Sequence, residues 1–589
     1  MNTINGYDLY DMFHYGTIKI TNMRKALNDI NVFPVPDADT GNNLASTMQA
    51  ILKQAKKDRS FHKSLETISD SVLYGARGNS GVIFAQFVNG LRSASKGKEE
   101  VTIEEFALMV NTSVEYTYAS VSNPVEGTML TVIKDWGASL SEIVKHQFDN
   151  VKHVFDQAFQ YAKQSLENTK HRLAVLQKNN VVDSGAMGFV LFLQGINSYY
   201  NNETLETMDS EIIEIEDVHH HDEDVAFRYC TEGLIRTNQS FDEATLRKSL
   251  EQYGDSLIIA KGMHIFRIHI HTNSPEIVFQ ELQNYGVIIS QKVDNMILDI
   301  ALGKSNQKTL VITDSIADIN QDFINENNIV VLPMGVNVDG VNYYDKLTIN
   351  NKILFELLQN SSEYPTTSTP TLQMIQTLLE KATERFNQIL FISVASKLSA
   401  TYGLLQEAIK PYVQQGKVIH LIDSLNNSIT EGLLVKKSVE MLNEGIALDE
   451  VVKWVEEYKH KTSILVCLDT FKYAMMGGRV PKAVGKIGNF IKMRPIMTLD
   501  KEGKGAAYGM AFSKKGITKK IINLVKKEMQ EKGIKAYGLV HCLNQDLVES
   551  YQTLFTEIIG FGPEYITEVS SAVAIHSGIG TVAIGYIRN

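Results

Sequence analysis

The sequence predicts a multidomain protein with an all-α N-terminal domain, a small α+β middle domain and an α/β C-terminal domain. Its 589 residues correspond to a few domains of roughly 150 residues each. Hydrophobic residues make up 44% of the chain and charged residues 21%, so each domain can bury a core. Helical periodicity dominates the first third, and strand signals alternate with helical signals in the last half.

We place the helical domain at residues 1–203, the middle domain at 225–305 and the C-terminal domain at 306–589. Residues 204–224 are rich in acidic residues and include three consecutive histidines. This composition indicates a solvated linker, with metal binding by the histidine run as the alternative.

Helical segments account for most of the N-terminal domain. In one of them, Thr102 with Glu105 three residues later is typical of a capping box, and apolar residues then recur at helical spacing. Short loops rich in Gly, Asp, Asn and Ser separate the segments. The eight predicted segments are 5–30, 41–56, 62–74, 79–96, 102–119, 126–146, 149–170 and 184–200.

Strand signals begin in the middle domain, where the apolar runs 256–262 and 264–272 precede a helix with Pro275 in its first turn. Beyond residue 306, runs such as TLVITDS and QILFISVAS alternate with helical stretches, which is typical of a mostly parallel sheet. Ligands on such folds bind at the carboxyl ends of strands. Polar residues there, such as Asp314 and Ser393, are therefore candidates for a binding site.

The charge and the cysteines argue against several classes of protein. With 57 basic and 68 acidic residues the net charge is −11, and we expect no nucleic-acid binding. The three cysteines lie far apart, which argues against a disulfide framework and suits a reducing compartment. The sequence shows neither a signal peptide nor an apolar run long enough for a membrane span, so we expect a cytoplasmic protein.

The densest motif is NVFPVPDADTGN, from Asn31 to Asn42. Asp37 and Asp39 stand two residues apart in a proline-containing loop, and their carboxylates can converge on Mg²⁺, which prefers oxygen ligands. Thr40 then opens a helix whose free N–H groups favour phosphate. The alternative is that both aspartates only cap that helix.

Three more loops in the helical domain also place small residues at the start of a predicted helix. They are the glycine-rich turn 75–81, the segment 124–129 and the segment 183–186. Small residues at the start of a helix let the backbone approach a phosphate closely. Each loop alone is a weak signal, but four in one domain favour a metal and nucleotide site.

In the middle domain, alternation along a strand places Arg267, His269 and His271 on one face. Two histidines at this spacing can bind one metal ion, and Cys230 in a neighbouring strand-like run can supply a third ligand for Zn²⁺. The alternative is a polar sheet face with hydrogen-bonded histidines and a small buried cysteine.

The C-terminal domain has four polar clusters near strand ends. Hydroxyl groups and a histidine in such positions can donate hydrogen bonds to a carboxylate. The alternative is that they cap helices, where Ser, Thr and Asp are favoured in any case. The clusters are Thr313–Ser315, Thr366–Ser368, Ser396–Thr401 and His576–Gly578.

The motifs NVFPVPDADTGNN, GARGNSGVIFAQ, PVEGTMLTVIKD and VVDSGAMG resemble the DhaL-type domain of dihydroxyacetone kinases and of FakA, the catalytic protein of bacterial fatty acid kinase. The resemblance covers about residues 1–203 and implies an eight-helix barrel that holds Mg²⁺ and ATP. It implies metal roles for Asp37, Asp39 and Asn31. One departure is Ala38, where the family has glycine. Implied phosphate or nucleotide contacts are Thr40, Asn42, Asn79, Ser80, Gly81, Thr128 and Asp183.

The middle domain shares its Tyr-Cys-Thr-Glu and His-x-His-Thr-Asn patterns with FakA-type proteins, which implies a part in activity for Cys230, His269 and His271. Residues 308–589 resemble the DegV family, the fatty-acid-binding proteins (FakB) of the same kinase system, through motifs such as VITDSIADI, TTSTPT and SKLSATYG. This resemblance implies two α/β lobes with an acyl tunnel. The implied carboxylate-binding residues are Thr367 and Ser399, with Ser368 and His576 close by.

Together these resemblances suggest a single-chain fatty acid kinase that converts ATP and a fatty acid into acyl phosphate and ADP. We expect domain closure about the linker, with His269 and His271 completing the site on closure. The resemblance also implies a homodimer and transient contact with a membrane or an acyltransferase. Two alternatives remain: a dihydroxyacetone-type small-molecule kinase, and a lipid-binding protein without catalytic activity.

Overall fold

The computed structural model describes residues 3–146, 148, 150–204, 225–237, 241–305, 307–478 and 494–589. Contacts divide the chain into two units, Met1–Ile300 and Ala301–Asn589. Of the predicted linker at 204–224, only residue 204 lies within the described part of the chain. The predicted fold class is confirmed: a helical N-terminal region and a small middle domain precede an α/β domain.

The eight long helices of the helical region correspond to the eight predicted segments. The first predicted segment, 5–30, is divided at Met23, which lets the short second helix lie against Gly41. Two short strands, β1 (Thr3–Asn5) and β2 (Glu100–Thr102), pair antiparallel, which the sequence did not predict. The helices are α1 (Gly6–Asn22), α2 (Arg24–Asp29), α3 (Thr40–Gln54), α4 (Phe61–Gly75), α5 (Gly78–Ala94), α6 (Ile103–Ser120), α7 (Met129–Ile143), α8 (Val151–Thr169), α9 (Ala174–Asn179) and α10 (Ser184–Tyr200).

Helix α10 is the centre of this region. It is buried on nearly all sides, as expected for a helix that is apolar all round. The ring of Phe192 lies 5.0 Å from the rings of both Phe13 and Phe84, and Phe189 lies 5.5 Å from Phe87. Because Asp183 caps α10, this candidate residue is anchored to the most deeply buried helix.

The middle domain is a four-stranded antiparallel sheet in the order β4-β5-β3-β6. The two predicted apolar runs form β4 and β5, and the apolar run after residue 295 forms a helix. The mixed polar sequence of β6 had given no strand signal. The elements are β3 (Tyr229–Arg236), α11 (Glu243–Glu251), β4 (Gly254–Lys261), β5 (Ile265–Thr272), α12 (Pro275–Leu282), β6 (Val287–Asn295) and α13 (Met296–Lys304).

The described residues of the second unit form two larger sheets and a small one. The four-stranded sheet β13-β12-β7-β8 is parallel, as predicted. The six-stranded sheet β16-β15-β14-β19-β17-β18 is mostly antiparallel, and here the expectation of a mostly parallel sheet is wrong. The short turn between β15 and β16 favours antiparallel pairing, because parallel neighbours need a long crossover. The third sheet has the order β10-β9-β11.

The strands of this unit are β7 (Thr309–Asp314), β8 (Val330–Leu332), β9 (Gly335–Val338), β10 (Val341–Tyr344), β11 (Thr366–Ser368), β12 (Gln388–Ser393), β13 (Val418–Asp423), β14 (Thr462–Cys467), β15 (Arg494–Leu499), β16 (Gly505–Ala511), β17 (Ile534–His541), β18 (Ile566–Glu568) and β19 (Val582–Arg588). Its helices are α14 (Gln321–Glu326), α15 (Asn351–Asn360), α16 (Leu372–Arg385), α17 (Thr401–Ala408), α18 (Lys410–Gln414), α19 (Ser428–Asn443), α20 (Leu448–Tyr458), α21 (Lys472–Met476), α22 (Lys514–Lys532), α23 (Gln545–Ile559) and α24 (Ser571–Ser577). Within the described part of the chain, none of the helices has the length and apolar character needed to cross a membrane.

Helices α1 and α10 approach each other through two glycines, and this contact gives a test of the fold. A Cβ atom added at Gly195 would lie 2.5 Å from both Cα and N of Gly16. We therefore expect Gly195→Ala to lower the free energy of unfolding by about 2–3 kcal/mol, because backbone must move to admit the methyl group. Urea unfolding followed by the fluorescence of buried Trp136, in a Trp454→Phe background, measures this change.

The control is Leu108→Ala, since Leu108 is 69% exposed and its truncation should change stability by less than about 0.5 kcal/mol. A Gly195→Ala protein as stable as this control would contradict the close helix crossing.

Candidate functional site

A cleft in the first unit is lined by residues of both the helical region and the middle domain. The predicted metal residues, part of the predicted nucleotide residues and the cysteine–histidine trio therefore meet in one place. His269 and His271 already lie in this cleft, so no closure is needed to bring them to the aspartate loop. The lining residues are Asn31, Phe33, Pro34, Val35, Asp37, Asp39, Thr40, Asn43, Gly78, Asn79, Ser80, Cys230, His269 and His271.

The two aspartates are not used as helix caps. Asp39 stands at the N-cap position of α3, but its side chain makes no capping hydrogen bond. The Asp37 carboxylate instead accepts a hydrogen bond from Nδ2 of Asn31 at 2.6 Å. Burial, followed by the charge of Asp39, raises the pKa of Asp37 well above its usual value. A half-buried carboxylate pair of this kind fits a divalent cation, which would offset the repulsion between the two carboxylates.

Ala38, where the related family has glycine, adopts a left-handed backbone conformation. Its φ is +54°, in the left-handed region where glycine is favoured. For an alanine this conformation costs on the order of 1 kcal/mol. The loop thus presents both aspartates without the glycine of the related family.

Asn31 connects the aspartate loop to the start of α3. Its side-chain oxygen accepts a hydrogen bond from the Thr40 hydroxyl at 2.8 Å, and its amide donates to Asp37. Asn31 is 2% exposed, so these two bonds fix its side chain. The structure therefore shows an orienting role for Asn31, and its role as a metal ligand stays a prediction.

The glycine-rich turn forms the other wall of the cleft. Gly78 opens α5 with a φ of +60°, and an added Cβ would lie 2.3 Å from Nδ2 of Asn43. The buried Oδ1 atom of Asn79 has no hydrogen-bond partner among the described residues. A buried acceptor left without a partner at a cleft suggests that a ligand completes its bonding.

Four of the predicted nucleotide residues do not line the cleft. Asn42 is exposed and its N–H bonds to Asn28, while an added Cβ at Gly81 would lie 2.4 Å from the Thr47 hydroxyl. The hydroxyl of Thr128 donates to the Val125 carbonyl at 2.7 Å. Their nucleotide roles stay predictions, as does that of the fourth residue, Asp183.

Asp183 is fully buried and holds two helix starts together. Its Oδ1 atom accepts hydrogen bonds from the N–H groups of Met129, at 3.1 Å, and Ala186, at 2.7 Å. Burial raises the pKa of Asp183 to about 6, against the lowering effect of these two bonds. The segment also borders the cleft, since an added Cβ at Gly185 would lie 2.6 Å from Oγ of Ser80.

Cys230, His269 and His271 form a buried group whose potential ligand atoms lie within 4.8 Å of one another. Nδ1 of His269 lies 3.8 Å from Sγ of Cys230, and the two Nε2 atoms of the histidines are 3.3 Å apart. Burial lowers the pKa of His269, and burial together with Glu232 raises that of Cys230. One sulfur and two imidazoles whose potential ligand atoms lie within 4.8 Å of one another fit a three-ligand Zn²⁺ site.

The sequence analysis missed two charged residues on the same sheet face. Glu232 lies opposite His269 in the register of β3 and β5, and opposite Lys292 in that of β3 and β6. Glu232 is 1% exposed, and Lys292 makes an ion pair of 2.5 Å with Asp294. Alternation already placed Glu232 on the face of Cys230 two residues earlier, so this signal was available in the sequence.

In the second unit, three of the predicted carboxylate-binding residues border one short segment, Met334–Val336. In the register of β9 and β11, Thr367 pairs with Val336 and Ser368 with Gly335. Ser399 reaches the same segment through Thr401: the two hydroxyls are 2.8 Å apart, and that of Thr401 lies 3.5 Å from the Met334 sulfur. The hydroxyl of Ser368 also donates to Asn342 at 3.1 Å.

His576 lies near this group but is connected to it indirectly. The Tyr364 hydroxyl, just before β11, donates a hydrogen bond to the carbonyl of Ile575. An added Cβ at Gly477 would lie 2.2 Å from Nδ1 of His576, so the imidazole packs against the end of α21. The binding roles of these four residues stay predictions.

The alternative explanation for the four polar clusters of the C-terminal domain was that their residues cap helices. In the structure, few of these residues do so. Residues 366–368 form a strand, and His576 lies near the end of α24. Only Ser399 comes close to a cap among these described residues, because its hydroxyl accepts a hydrogen bond from the N–H of Thr401 at 3.3 Å. The Asp314 carboxylate accepts from the N–H of Val394 at 2.9 Å, which ties two strand ends together.

Three family models match the chain. The DAK2 domain matches residues 34–198, and the model of the middle domain of FakA-like fatty acid kinase proteins matches 226–301. The model of the uncharacterised DegV family matches residues 308–589.

Uncharacterized proteins of Staphylococcus epidermidis and Staphylococcus haemolyticus are both 34% identical to this chain over 309 residues, and one of Staphylococcus aureus is 35% identical. These matches cover 50% of this chain and 56% of each relative, so the chain spans little more than half the length of the curated relatives it matches.

Among solved structures, a DegV family protein from Thermus thermophilus described with fatty acid binding is 23% identical, with a TM-score of 0.44. The match covers 48% of this chain and 100% of that protein. A fatty acid binding DegV family protein from Streptococcus agalactiae has the same identity and TM-score, and the match covers 48% of this chain and 99% of that protein.

By its family models, this single chain combines a DAK2 domain, a FakA-like middle domain and a DegV-family domain.

Proposed function

We propose that this chain is a single-chain fatty acid kinase, which transfers the γ-phosphoryl group of ATP to the carboxylate of a bound fatty acid. The products are an acyl phosphate and ADP. The observation that carries the proposal is the combination, in one chain, of an aspartate-lined cleft in DAK2 and FakA-like domains with a DegV-family domain.

The acceptor chemistry suits a site without a general base. A carboxylic acid titrates near about 4, so at pH 7 it is already an ionised nucleophile. What remains is to align it with the γ-phosphorus and to compensate the negative charge of the phosphates. The residues of the cleft, two carboxylates together with glycine and amide groups at a helix start, are suited to that task.

In the helical domain, Asp37 and Asp39 would hold Mg²⁺, with Asn31 fixing the direction of Asp37. Bound Mg²⁺ would neutralise charge on the β- and γ-phosphates. The N–H groups at the start of α5 and the unpartnered amide oxygen of Asn79 would bind the nucleotide. Cys230, His269 and His271 would hold Zn²⁺ in the wall of the same cleft.

In the DegV domain, Thr367 and Ser399 would donate hydrogen bonds to the fatty acid carboxylate. Supporting this role, both residues border the segment Met334–Val336, and neither is fully buried. Ser368 and His576 would lie beside them. We also propose, from the family resemblance, that the protein works as a homodimer and makes transient contact with a membrane or an acyltransferase. The separated cysteines suit the cytoplasm, which is the compartment we propose for it.

The direct test mixes the purified chain with Mg²⁺-ATP and oleate, without a second protein, and traps acyl phosphate with hydroxylamine. We expect hydroxamate from the wild-type chain and a loss of at least about 100-fold in Asp37→Asn, which removes one charge from the cation site. Thr367→Ala should lower the rate by about tenfold or more through loss of a carboxylate contact.

The matched controls are Asp29→Asn and Thr377→Ala, two exposed residues in α2 and α16, which should keep full activity. Phosphorylation of dihydroxyacetone in place of oleate, or full activity of Asp37→Asn, would contradict the proposal.

Asp183 gives a test of the proposed nucleotide site that does not depend on measuring the reaction. A functional residue is often retained even though it lowers the stability of the protein. With a pKa of about 6 in the folded protein and 3.8 as reference, its ionisation opposes folding by on the order of 3 kcal/mol above pH 6. The folded state binds the proton more tightly, so this residue's effect lowers stability as the pH rises from about 4 to 6.

We therefore expect Asp183→Asn to raise the free energy of unfolding by on the order of 1–3 kcal/mol at pH 7.5, with a smaller gain at pH 5. It should also weaken nucleotide binding. Urea unfolding followed by Trp136 fluorescence at both pH values measures the gain, with Asp29→Asn as the control. Equal destabilisation at pH 5 and pH 7.5 would refute this account of Asp183.

A further inference from the structure

Glu232 is a buried carboxylate that faces two functional clusters at once. Its Oε1 atom accepts a hydrogen bond from the N–H of Gly78, the first residue of α5, at 2.6 Å. The same atom lies 3.9 Å from Nδ1 of His269. One oxygen therefore faces both the glycine-rich turn and the Cys230–His269–His271 group.

The second oxygen of Glu232 is fixed by two arginines. Oε2 lies 3.4 Å from Nη1 of Arg77 and 3.4 Å from Nη1 of Arg267. Arg267, itself 1% exposed, donates to the carbonyls of Leu73 at 3.0 Å and Tyr74 at 2.8 Å, at the end of α4. Both oxygens of the carboxylate thus contact groups at the turn between α4 and α5. A shift of the Glu232 side chain would therefore also move this turn.

Lys292 also lies close to this carboxylate, with its Nζ atom 3.8 Å from Oε1. Three cationic side chains, those of Arg77, Arg267 and Lys292, therefore surround the buried carboxylate of Glu232. A carboxylate in this position can accept hydrogen bonds from donors on either side.

The His269 ring lies between the Cys230–His269–His271 group and the Glu232 carboxylate, and thus connects that group to the glycine-rich turn. Nε2 of His269 lies 3.3 Å from Nε2 of His271, while Nδ1 lies 3.9 Å from Oε1 of Glu232 and 3.8 Å from Sγ of Cys230. A cation held through Nε2 requires the proton to be on Nδ1, and Nδ1–H then donates to a carboxylate, as is usual for metal-bound histidines. The oxygen that would receive this bond already holds the N–H of Gly78, next to Asn79 and Ser80 in the cleft.

We propose that Glu232 is a positioning residue that couples cation binding at the Cys230–His269–His271 group to phosphate binding at the Gly78–Ser80 turn. Cation binding fixes the His269 ring and thereby Glu232, which in turn orders the N–H group at the start of α5. The coupling is reciprocal, so a bound nucleotide also tightens cation binding. This inference rests on the proposed nucleotide site and does not depend on which acceptor is phosphorylated.

The experiment measures binding of Mg²⁺ with a non-hydrolysable ATP analogue to the full chain by calorimetry, with and without one equivalent of Co²⁺. The thiolate-to-Co²⁺ absorption band reports occupancy of the cysteine site. We expect Co²⁺ to tighten nucleotide binding by about fivefold or more in the wild-type chain, within the usual range of coupling between sites. In Glu232→Gln the band should remain, and the tightening should fall below about twofold.

Two controls separate coupling from general damage. Cys230→Ser should lose both the band and the tightening, and Glu276→Gln, in α12 of the same domain, should keep both. If Glu232→Gln fails to fold, Glu232→Asp, which keeps the charge but withdraws it from Gly78, should show the same loss of coupling.

A Glu232 variant that binds Co²⁺ and keeps the full tightening would overturn the proposal, as would a wild-type chain whose nucleotide affinity is indifferent to Co²⁺. Failure to form acyl phosphate would instead contradict the proposed reaction and leave the coupling intact, because the experiment measures binding alone.

Discussion

The repulsion between two half-buried carboxylates is the constraint on which the candidate site depends. Asp37 and Asp39 lie side by side at the start of α3, where the pKa of Asp37 is raised by burial and by its neighbour. The surrounding structure holds them there through the left-handed backbone at Ala38 and the hydrogen bonds of Asn31. Such an arrangement lowers stability unless a cation is bound, and it is therefore better explained by function than by folding.

Two buried carboxylates of the second unit, those of Asp314 and Asp345, differ from this pair because protein groups donate hydrogen bonds to them. Asp314 accepts two backbone hydrogen bonds and one from the Ser393 hydroxyl, at the ends of β7 and β12. Asp345 accepts from the Ser315 hydroxyl at 2.6 Å and from the N–H of Ser571 at 2.7 Å. Because these carboxylates are satisfied by protein donors, they hold strand ends and loops in place. The position of Asp314 at a strand end suggested binding, whereas its hydrogen bonds to protein donors indicate a structural role.

Local sequence patterns predicted most of the helices and strands. Most of the features that they did not predict depend on pairing between strands distant in sequence. Helical periodicity placed the eight long helices, because each buries one face or, for α10, all of them. The second large sheet was predicted to be mostly parallel, since strand direction depends on partners distant in sequence, such as β14 and β19. The strand β6 was missed because Gln291 stands between Ile289 and Val293 on one face and interrupts the alternation of apolar and polar residues.

For the candidate site, the sequence predicted which residues take part better than it predicted the contacts between them. The sequence motifs pointed to Asp37, Asp39 and the Cys230 group, all of which the structure places in one cleft. The contact of Glu232 with Gly78 joins residues 154 positions apart, and no local pattern encodes it. The binding roles of Thr367 and Ser399 depend on a ligand, so the arrangement of the protein alone does not establish them.

The most direct test of the central claim is a Mn²⁺ titration of the full chain, followed by electron paramagnetic resonance, with a non-hydrolysable ATP analogue labelled with ¹⁷O on the γ-phosphate. The account predicts Mn²⁺ bound together with the nucleotide, with line broadening by the labelled phosphate, and loss of this signal in the Asp37→Asn, Asp39→Asn double variant. A double variant that binds Mn²⁺ and nucleotide as the wild-type chain does would contradict it.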